Sequence, residues 1–282
     1  MSERLEVNKT YKLYIGGAFP RSESGRTYEV NDSGGAFIAN ACLASRKDLR
    51  DAVVVARAAQ NSWAGATAYN RGQILYRIAE MMEGRRDQFV KEISTVDGSS
   101  IEEAKREVVE AIDRWVWYAG WSDKLSVLAG STNPVSGPFY NFTIPEPTGV
   151  VGSIAPQEKS LLGLAEAIAP IIVSGNTCIA LASSRAPLSA ITFAEVMATS
   201  DLPHGVCNIL TGKQEELAPW FASHMDINGL DISGITEPSL ASDIKTSGAQ
   251  NLKRIHSFKG GQNPQRILAF MEAKTIWHPI GV

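Results

Sequence analysis

The chain has 282 residues, of which 44% are hydrophobic and 20% charged, and its formal net charge is −3. These values are ordinary for a globular protein with a sizeable core. The weak net charge gives no reason to expect nucleic acid or an anionic membrane as a partner. No apolar run approaches the roughly 18 residues of a membrane span. The start, MSERLEVNKTYK, is charged and unlike a secretory signal, so we expect a cytoplasmic protein.

The three cysteines, Cys42, Cys178 and Cys207, have no metal-ligand spacing. They predict a reduced compartment and no metal site. Cys178 and Cys207 lie in apolar strand patterns, where a free cysteine is usually a small buried side chain. We therefore do not expect either of them to act as a nucleophile.

The first part of the chain predicts strands followed by helices. Two alternating segments around a Ser-Glu-Ser-Gly turn predict a β-hairpin over residues 11–30. Ser45 followed by Asp48 resembles a capping box, which marks a helix start. Apolar residues at helical spacing then predict three helices, at 48–63, 71–93 and 101–125. A proline-rich segment follows and contains a short strand at 140–144.

From residue 149 onward, short apolar strands alternate with helices. The strands are predicted at 149–155, 177–182, 206–210 and 229–233. The helices are predicted at 161–173, 189–200, 217–223 and 237–246, the last closed by Gly248. This alternation is typical of a parallel sheet covered on both faces. The predicted fold is a three-layer α/β domain with a parallel sheet and an N-terminal helical layer packed on it.

Seven motifs follow one another along the chain: YKLYIGGAF, RGQILYRIAEMME, YAGWSDKL, EPTGVVGSIAP, the GNT at 175–177, LPHGVCNILTG and NLKR. Together they resemble the aldehyde dehydrogenase superfamily. This resemblance implies a Rossmann-like fold with protruding oligomerisation strands. The resemblance runs from about Tyr11 to Pro264 and implies a degenerate cofactor-binding domain over residues 1–264, with an oligomerisation segment at 134–145. In this family a catalytic domain with a nucleophilic cysteine follows. Only 21 residues follow Gly261 in the 282-residue chain, whereas a domain needs roughly 50, so we expect that domain to be missing.

The residues at the positions of the family's catalytic groups differ from those the chemistry requires. The resemblance places Glu158 where the family has an asparagine that donates to the oxyanion of the acyl intermediate. An ionised glutamate cannot donate. The family's general base corresponds to Phe258, which cannot accept a proton. We therefore expect no catalytic residue in this chain.

The positions that bind the cofactor in the family are also altered. Leu181 and Ser184 replace the lysine and glutamate that bind the adenosine ribose, and Ile235 replaces a serine on the pyrophosphate. Thr236 remains as an N-cap for the following helix. Arg185 lies beside the ribose position, where it is either a phosphate ligand or a solvated side chain. The other positions that the resemblance assigns to the cofactor are Ile154, Pro156, Gly212 and Gly234. We expect NAD(P) to bind weakly if at all.

The last residues, 265–282, resemble the family's C-terminal oligomerisation strand. Residues 270–277 alternate and end in strong β formers. An unpaired strand of this composition is a sticky edge, so we expect self-association or binding to a full-length aldehyde dehydrogenase. Alternatively, the strand folds back on residues 11–15 and 140–144 as a local sheet. We expect the body to fold without residues 270–282.

These observations favour a non-catalytic protein that acts as a structural or regulatory subunit of a complete aldehyde dehydrogenase. The alternative is an NAD(P)-binding oxidoreductase component that completes an aldehyde-oxidising site with a partner. A gene product without a role is a third possibility, although the well-formed last strand argues against it.

Overall fold

The structure is a computed structural model and describes residues 9–281. It contains eleven strands in three sheets and ten helices within those residues. The strands are β1 (Thr10–Tyr11), β2 (Thr27–Asn31), β3 (Phe37–Cys42), β4 (Ser131–Asn133), β5 (Phe139–Pro147), β6 (Val150–Ile154), β7 (Thr177–Leu181), β8 (Cys207–Leu210), β9 (Gly229–Asp231), β10 (Arg254–His256) and β11 (Met271–Pro279). The helices are α1 (Arg46–Gly65), α2 (Ala68–Glu83), α3 (Arg86–Asp97), α4 (Ile101–Ala119), α5 (Leu125–Ala129), α6 (Ser160–Val173), α7 (Leu188–Met197), α8 (Gln214–Ser223), α9 (Pro238–Ala249) and α10 (Gln265–Leu268).

The central sheet is parallel and has the order β10-β9-β6-β7-β8. Its side chains alternate between two cores. In β7, Ile179 and Leu181 pack with α1, α8 and α9, whereas Cys178 and Ala180 pack with α6 and α7. Helices α2, α3 and α4 form a further layer outside α6 and α7. The predicted Rossmann-like α/β fold is confirmed, with α1 lying directly on the sheet rather than in a separate N-terminal layer.

The predicted hairpin over residues 11–30 is wrong. β2 pairs antiparallel with β3, and β1 pairs parallel with that same strand. The turn lies between β2 and β3, where the Asp32 carboxylate accepts the N–H groups of Gly34 and Ala36 at 2.9 and 2.8 Å. Asp, Ser and Gly are common turn residues, and the Asp-Ser-Gly-Gly run at residues 32–35 connects β2 to β3.

Three helix predictions need correction. Residues 71–93 form two helices because α2 ends at Gly84 and α3 begins after Arg85. The helix predicted over 101–125 ends at Ala119 with Gly120 as its C-cap. Gly248 does not close α9 but lies inside it, where an added Cβ would collide with Ile255. The capping box at the start of α1 is confirmed, with Ser45 and Asp48 bonding each other's backbone N–H.

β11 pairs antiparallel with β5 along its whole length, and β5 also pairs with β4. We call this three-stranded sheet the arm. The pairing with residues 140–144, which the alternative prediction of a local sheet requires, is therefore present, but residues 11–15 take no part. Tyr11 pairs with β3, and Tyr14 bridges to Ile209.

The residues just before β11 belong to the body. Ile267 is fully buried and Phe270 is 1% exposed. The Phe270 carbonyl accepts hydrogen bonds from the Asn176 side chain at 2.7 Å and from the N–H of Thr148 at 3.1 Å. The segment predicted to begin at residue 265 as an oligomerisation strand therefore starts with residues that pack into the body. The expectation that the body folds without residue 270 does not fit this packing.

Replacing Phe270 by alanine should lower the free energy of unfolding by about 3–5 kcal/mol, because it removes a fully buried aromatic ring. The matched variant Trp277→Ala truncates a ring that is 58% exposed on β11 and should cost less than about 1 kcal/mol. Urea denaturation followed by circular dichroism measures both. Equal losses of unfolding free energy in the two variants would show that Phe270 does not belong to the buried core of the body.

Candidate functional site

The order of the central sheet places a topological switch point between β6 and β9. From β6 the chain continues to β7 and β8 on one side, and then returns to β9 and β10 on the other. Sheets of this kind bind ligands in the crevice beyond the carboxyl ends of the two strands at such a point. The loop after β6 carries Pro156, and the loop after β9 carries Gly234 and Ile235. The structure therefore brings together these predicted cofactor positions and Ile154, the last residue of β6.

Backbone and side-chain contacts bridge this crevice. The Gly234 N–H donates to the Ile154 carbonyl at 2.9 Å. An added Cβ at Gly234 would collide with the Ala155 carbonyl, so only glycine permits this approach. The Gln214 side-chain amide donates to the Ala155 carbonyl at 3.3 Å and to the Gly234 carbonyl at 3.2 Å. The two loops are thus held together by the protein's own groups.

Helix α9 begins at this crevice, and its cap differs from the prediction. The N-cap is Glu237 rather than Thr236, because Pro238 occupies the first helical position and the Glu237 carboxylate accepts the Ser239 N–H at 3.5 Å. A negative charge therefore lies where the family resemblance expects a pyrophosphate. Ile235 is half-buried and packs on the core formed with α8 and α9.

The remaining positions that the resemblance assigns to the cofactor are buried or contact other residues of the protein. Leu181 is fully buried in the core beneath α1 and α8. Gly212 is buried after β8. Ser184 donates from both its N–H and its hydroxyl to the Gln157 side-chain oxygen, each at 3.0 Å. The loops after β6 and β7 are therefore joined through Gln157.

Phe258, at the position of the family's base, belongs to an aromatic cluster. Its ring stacks on His256 at 5.7 Å and meets the edge of Phe270 at 6.3 Å between centroids. The Arg266 guanidinium lies 5.0 Å from the ring centroid. The Phe258 N–H donates to the Ser233 hydroxyl at 2.9 Å. This position serves packing, and its side chain offers no proton acceptor.

A buried ion network lies beside this cluster. Arg266 pairs with Asp231 at 3.1 Å and with Glu166 at 3.6 Å, and Arg114 pairs with Glu166 at 3.0 Å. The side chains of Arg266, Asp231 and Glu166 are 2%, 1% and 8% exposed. Burial raises the pKa of the Asp231 carboxyl, and Arg266 opposes that rise. Local sequence patterns do not predict this network, although acidic residues inside an apolar strand and an apolar helix indicate buried partners.

A second concave region brings together residues that lie far apart in the sequence. This charged cavity, of about 340 Å³, is lined by Asp97, Ser99, Glu107, Gln157, Glu158 and Arg185, among others. Glu158 is exposed in its wall. Glu107 is 8% exposed, and one of its carboxylate oxygens accepts the N–H groups of Leu161 and Leu162 at 3.0 and 3.3 Å. These bonds cap α6 and favour a charged carboxylate there.

Burial and neighbouring groups have opposite effects on the pKa values of two acidic side chains of this cavity. Burial raises the pKa of Glu107, and the N–H groups of Leu162 and Leu161 lower it. Burial also raises the pKa of Asp97, and the nearby Arg185 lowers it. Arg185 therefore faces a carboxylate in this cavity.

The three cysteines of this chain are all buried. Cys42, Cys178 and Cys207 are free and buried, and the last two are direct neighbours across β7 and β8. Burial raises the pKa of Cys178 well above its ordinary value. Its thiolate, the reactive form, is therefore suppressed at neutral pH. Among residues 9–281, no three His, Cys, Asp or Glu side chains are grouped as metal ligands, and no helix there is long and apolar enough to span a membrane.

Comparisons with known proteins agree with the sequence motifs and the sheet topology. A sequence model described as the aldehyde dehydrogenase family matches residues 19–277. The chain belongs to the aldehyde dehydrogenase family. It is 33% identical over 270 residues to retinal dehydrogenase 2 of Gallus gallus, covering 94% of this chain and 51% of that protein. It is 30% identical over 276 residues to cytosolic 10-formyltetrahydrofolate dehydrogenase of Mus musculus, covering 95% of this chain and 30% of that protein.

The fold is similar to that of complete members of the family. The NAD+ complex of an aldehyde dehydrogenase from Bacillus cereus has a TM-score of 0.82 and 26% identity, with 88% of this chain and 50% of that chain covered. The chain thus spans about half the length of several proteins that it matches, and the predicted family membership is confirmed.

The native protein should react with Ellman's reagent at none of its three cysteines within minutes at pH 8, because all three thiols are buried. The same protein in guanidinium chloride should release three equivalents of the chromophore and so provides the control. Rapid labelling of one thiol in the native state would identify a reactive cysteine and remove this argument against a nucleophile.

Proposed function

We propose that this chain is a non-catalytic member of the aldehyde dehydrogenase family and acts as a structural or regulatory subunit of a complete aldehyde dehydrogenase in the cytoplasm. The observation that carries this proposal is the packing of Phe258 at the position of the general base. Its ring is held between His256, Phe270 and Arg266. Glu158 at the position of the oxyanion donor supports the same conclusion, because a carboxylate repels a developing negative charge.

The residues of the switch-point crevice do not fit a nicotinamide cofactor. Leu181 and Ile235 have no polar side-chain atoms, and Ser184 donates to Gln157. Glu237 adds a negative charge where a pyrophosphate would need positive ends of N–H dipoles. Each lost hydrogen bond to a charged group forfeits roughly 1.5–3 kcal/mol. We infer that NAD(P) binds weakly if at all.

A second candidate keeps the cofactor. The likeness to an NAD+-bound aldehyde dehydrogenase, at a TM-score of 0.82, favours a component that binds NAD(P) and completes an oxidising site with a partner. The altered side chains at Leu181, Ser184 and Ile235 weigh against it. Direct measurement of cofactor binding separates the two candidates.

The arm supports the proposed role as a subunit. Its strands β11 and β5 share nine residue pairs, from Met271 opposite Pro147 to Pro279 opposite Phe139. β11 is the outermost strand of this sheet, so its second edge is available for pairing with another chain. Phe139, Tyr140 and Trp277 are exposed at the far end, at 40%, 47% and 58%. A second copy or a full-length aldehyde dehydrogenase is the proposed partner.

The purified protein should show no aldehyde-dependent reduction of NAD or NADP, measured as absorbance at the nicotinamide band with aliphatic and aromatic aldehydes. Isothermal titration with each cofactor should give a dissociation constant weaker than micromolar, because the ribose and pyrophosphate contacts are replaced. A complete aldehyde dehydrogenase in the same buffers is the control. Turnover by the purified chain would refute the non-catalytic role, and tight binding without turnover would favour the second candidate.

Deleting residues 272–282 should leave the body folded, because the cut lies beyond the buried Phe270 and Met271. Size-exclusion chromatography with light scattering should then show a smaller species and loss of co-elution with a full-length aldehyde dehydrogenase from the same cell. The variant Val127→Ser, which changes a side chain that is 86% exposed outside the arm, is the matched control and should behave as the wild type. Unchanged association after the deletion would exclude the arm as the contact surface.

A further inference from the structure

Hydrogen bonds at its two ends fix which backbone groups of β11 face away from β5. The N–H of Thr148 donates to the Phe270 carbonyl at 3.1 Å, and the N–H of Ile280 donates to the Pro138 carbonyl at 2.8 Å. In an antiparallel pair, residues that bond the partner strand alternate with residues whose N–H and C=O point away from it. Phe270 and Ile280 have even numbers. The even-numbered residues of β11 therefore bond β5, and the odd-numbered residues point to the free edge.

The free edge of β11 is accessible and offers both donors and acceptors. Ala273, Thr275 and Trp277 are exposed, and each points an N–H and a carbonyl outward. The two ends of the edge differ from this pattern, since Pro279 has no N–H and the Met271 carbonyl already accepts the Arg254 guanidinium at 3.3 Å. Within residues 9–281, the outward N–H and carbonyl groups of residues 273, 275 and 277 have no protein partner.

A second copy of this edge matches the first when the two strands run antiparallel about Thr275. Thr275 then lies opposite its own counterpart, and Ala273 lies opposite Trp277, so that every exposed N–H meets a carbonyl. The same register places Met271 opposite Pro279. The N–H that Pro279 lacks would have met the Met271 carbonyl, which is already bonded within its own chain. The edge is thus complementary to itself over the whole strand.

The charged side chains fit the same register. Glu272 lies opposite His278, and Lys274 lies opposite Ile276, so no two like charges face each other, which would destabilise the pair. Lys274 is the residue type that commonly protects an edge from pairing. Here its ammonium group is held by Glu146 of the same arm at 2.8 Å, which directs the charge along the sheet.

The neighbouring registers are worse. Moving the axis to residue 274 places Lys274 opposite its own counterpart, and like charges directly opposite each other are unfavourable. Moving the axis to residue 276 places Ala273 opposite Pro279, which leaves the Ala273 carbonyl without a donor. Both backbone complementarity and charge therefore select the axis at Thr275.

We propose that two copies of this chain pair through β11 in this register, which joins their two three-stranded arms into one continuous antiparallel sheet. This inference rests on the proposed role of the arm as a contact surface, and it selects a second copy as the partner. It needs neither a cofactor nor a particular catalytic state. Because β11 leaves the body at Met271 in each copy, the two bodies lie at opposite ends of the shared strands.

Cysteine cross-linking of the full chain tests the register. Oxidation with copper phenanthroline should convert Thr275→Cys into a covalent dimer, because Cα atoms of directly opposed residues lie about 5.5 Å apart, within disulfide range. In the matched variant Ala273→Cys the two thiols are offset by roughly 14 Å along the strands and should not cross-link. The wild type, whose three cysteines are buried, should also stay uncross-linked. Equal cross-linking of the two variants would overturn the register.

A proline variant tests the pairing itself. Thr275→Pro removes an outward N–H and no bond to β5, and proline is tolerated on the open edge of a sheet, so circular dichroism should be unchanged. Light scattering should find the wild type and Thr275→Val as dimers and Thr275→Pro with at least about tenfold weaker association, because the bonds at the axis are lost. A proline variant that dimerises as the wild type does would overturn the proposal.

The oligomeric state of the wild type separates this inference from the proposed function. A wild type that is monomeric by light scattering would overturn self-pairing. If that monomer still co-elutes with a full-length aldehyde dehydrogenase, the role of the arm in a subunit stands and only the choice of a second copy fails.

Discussion

The buried ion pairs of Arg266 hold the end of the chain against the central sheet. Arg266 lies in α10, and its partners Asp231 and Glu166 lie in β9 and α6. Removing one partner of a buried pair leaves an uncompensated charge, which typically costs 3–5 kcal/mol. The network therefore fixes the position of α10, and with it the aromatic ring of Phe258 and the start of β11.

The same packing surrounds Phe258, the residue that the resemblance aligns with the family's general base. The position expected to hold a base contributes an aromatic ring to the packing beside Arg266. The crevice at the switch point is bridged by Gln214, and the neighbouring loop is tied to Gln157. These bonds satisfy backbone and side-chain groups that a ligand would otherwise contact. In the described residues, Gln157 and Gln214 thus join the loops of a Rossmann-like sheet through internal hydrogen bonds.

Local sequence signals correctly predicted the elements that begin with a capping motif or consist of a short apolar run. The capping box of Ser45 and Asp48 marked the start of α1, and the short apolar runs marked β6 and β7, both of which are fully buried. Prediction was poorer where pairing depends on distant residues. β3 lies between β1 and β2, although nothing in the pattern of residues 11–30 shows this. β10 is three residues long at the sheet edge, too short to produce a periodic pattern.

The sequence by itself determined the family and the alternation of strands and helices, because these depend on residue identity and spacing within local motifs. The replacement of catalytic and ribose-binding side chains is an expectation that rests on the same motifs. Only the tertiary structure showed the Arg266 network, the bridging by Gln214, and the cavity that combines Glu158 with Asp97 and Arg185. Each of these joins residues far apart in the chain. Side-chain partners of that kind are set by the packing of whole elements, and local periodicity carries no information about them.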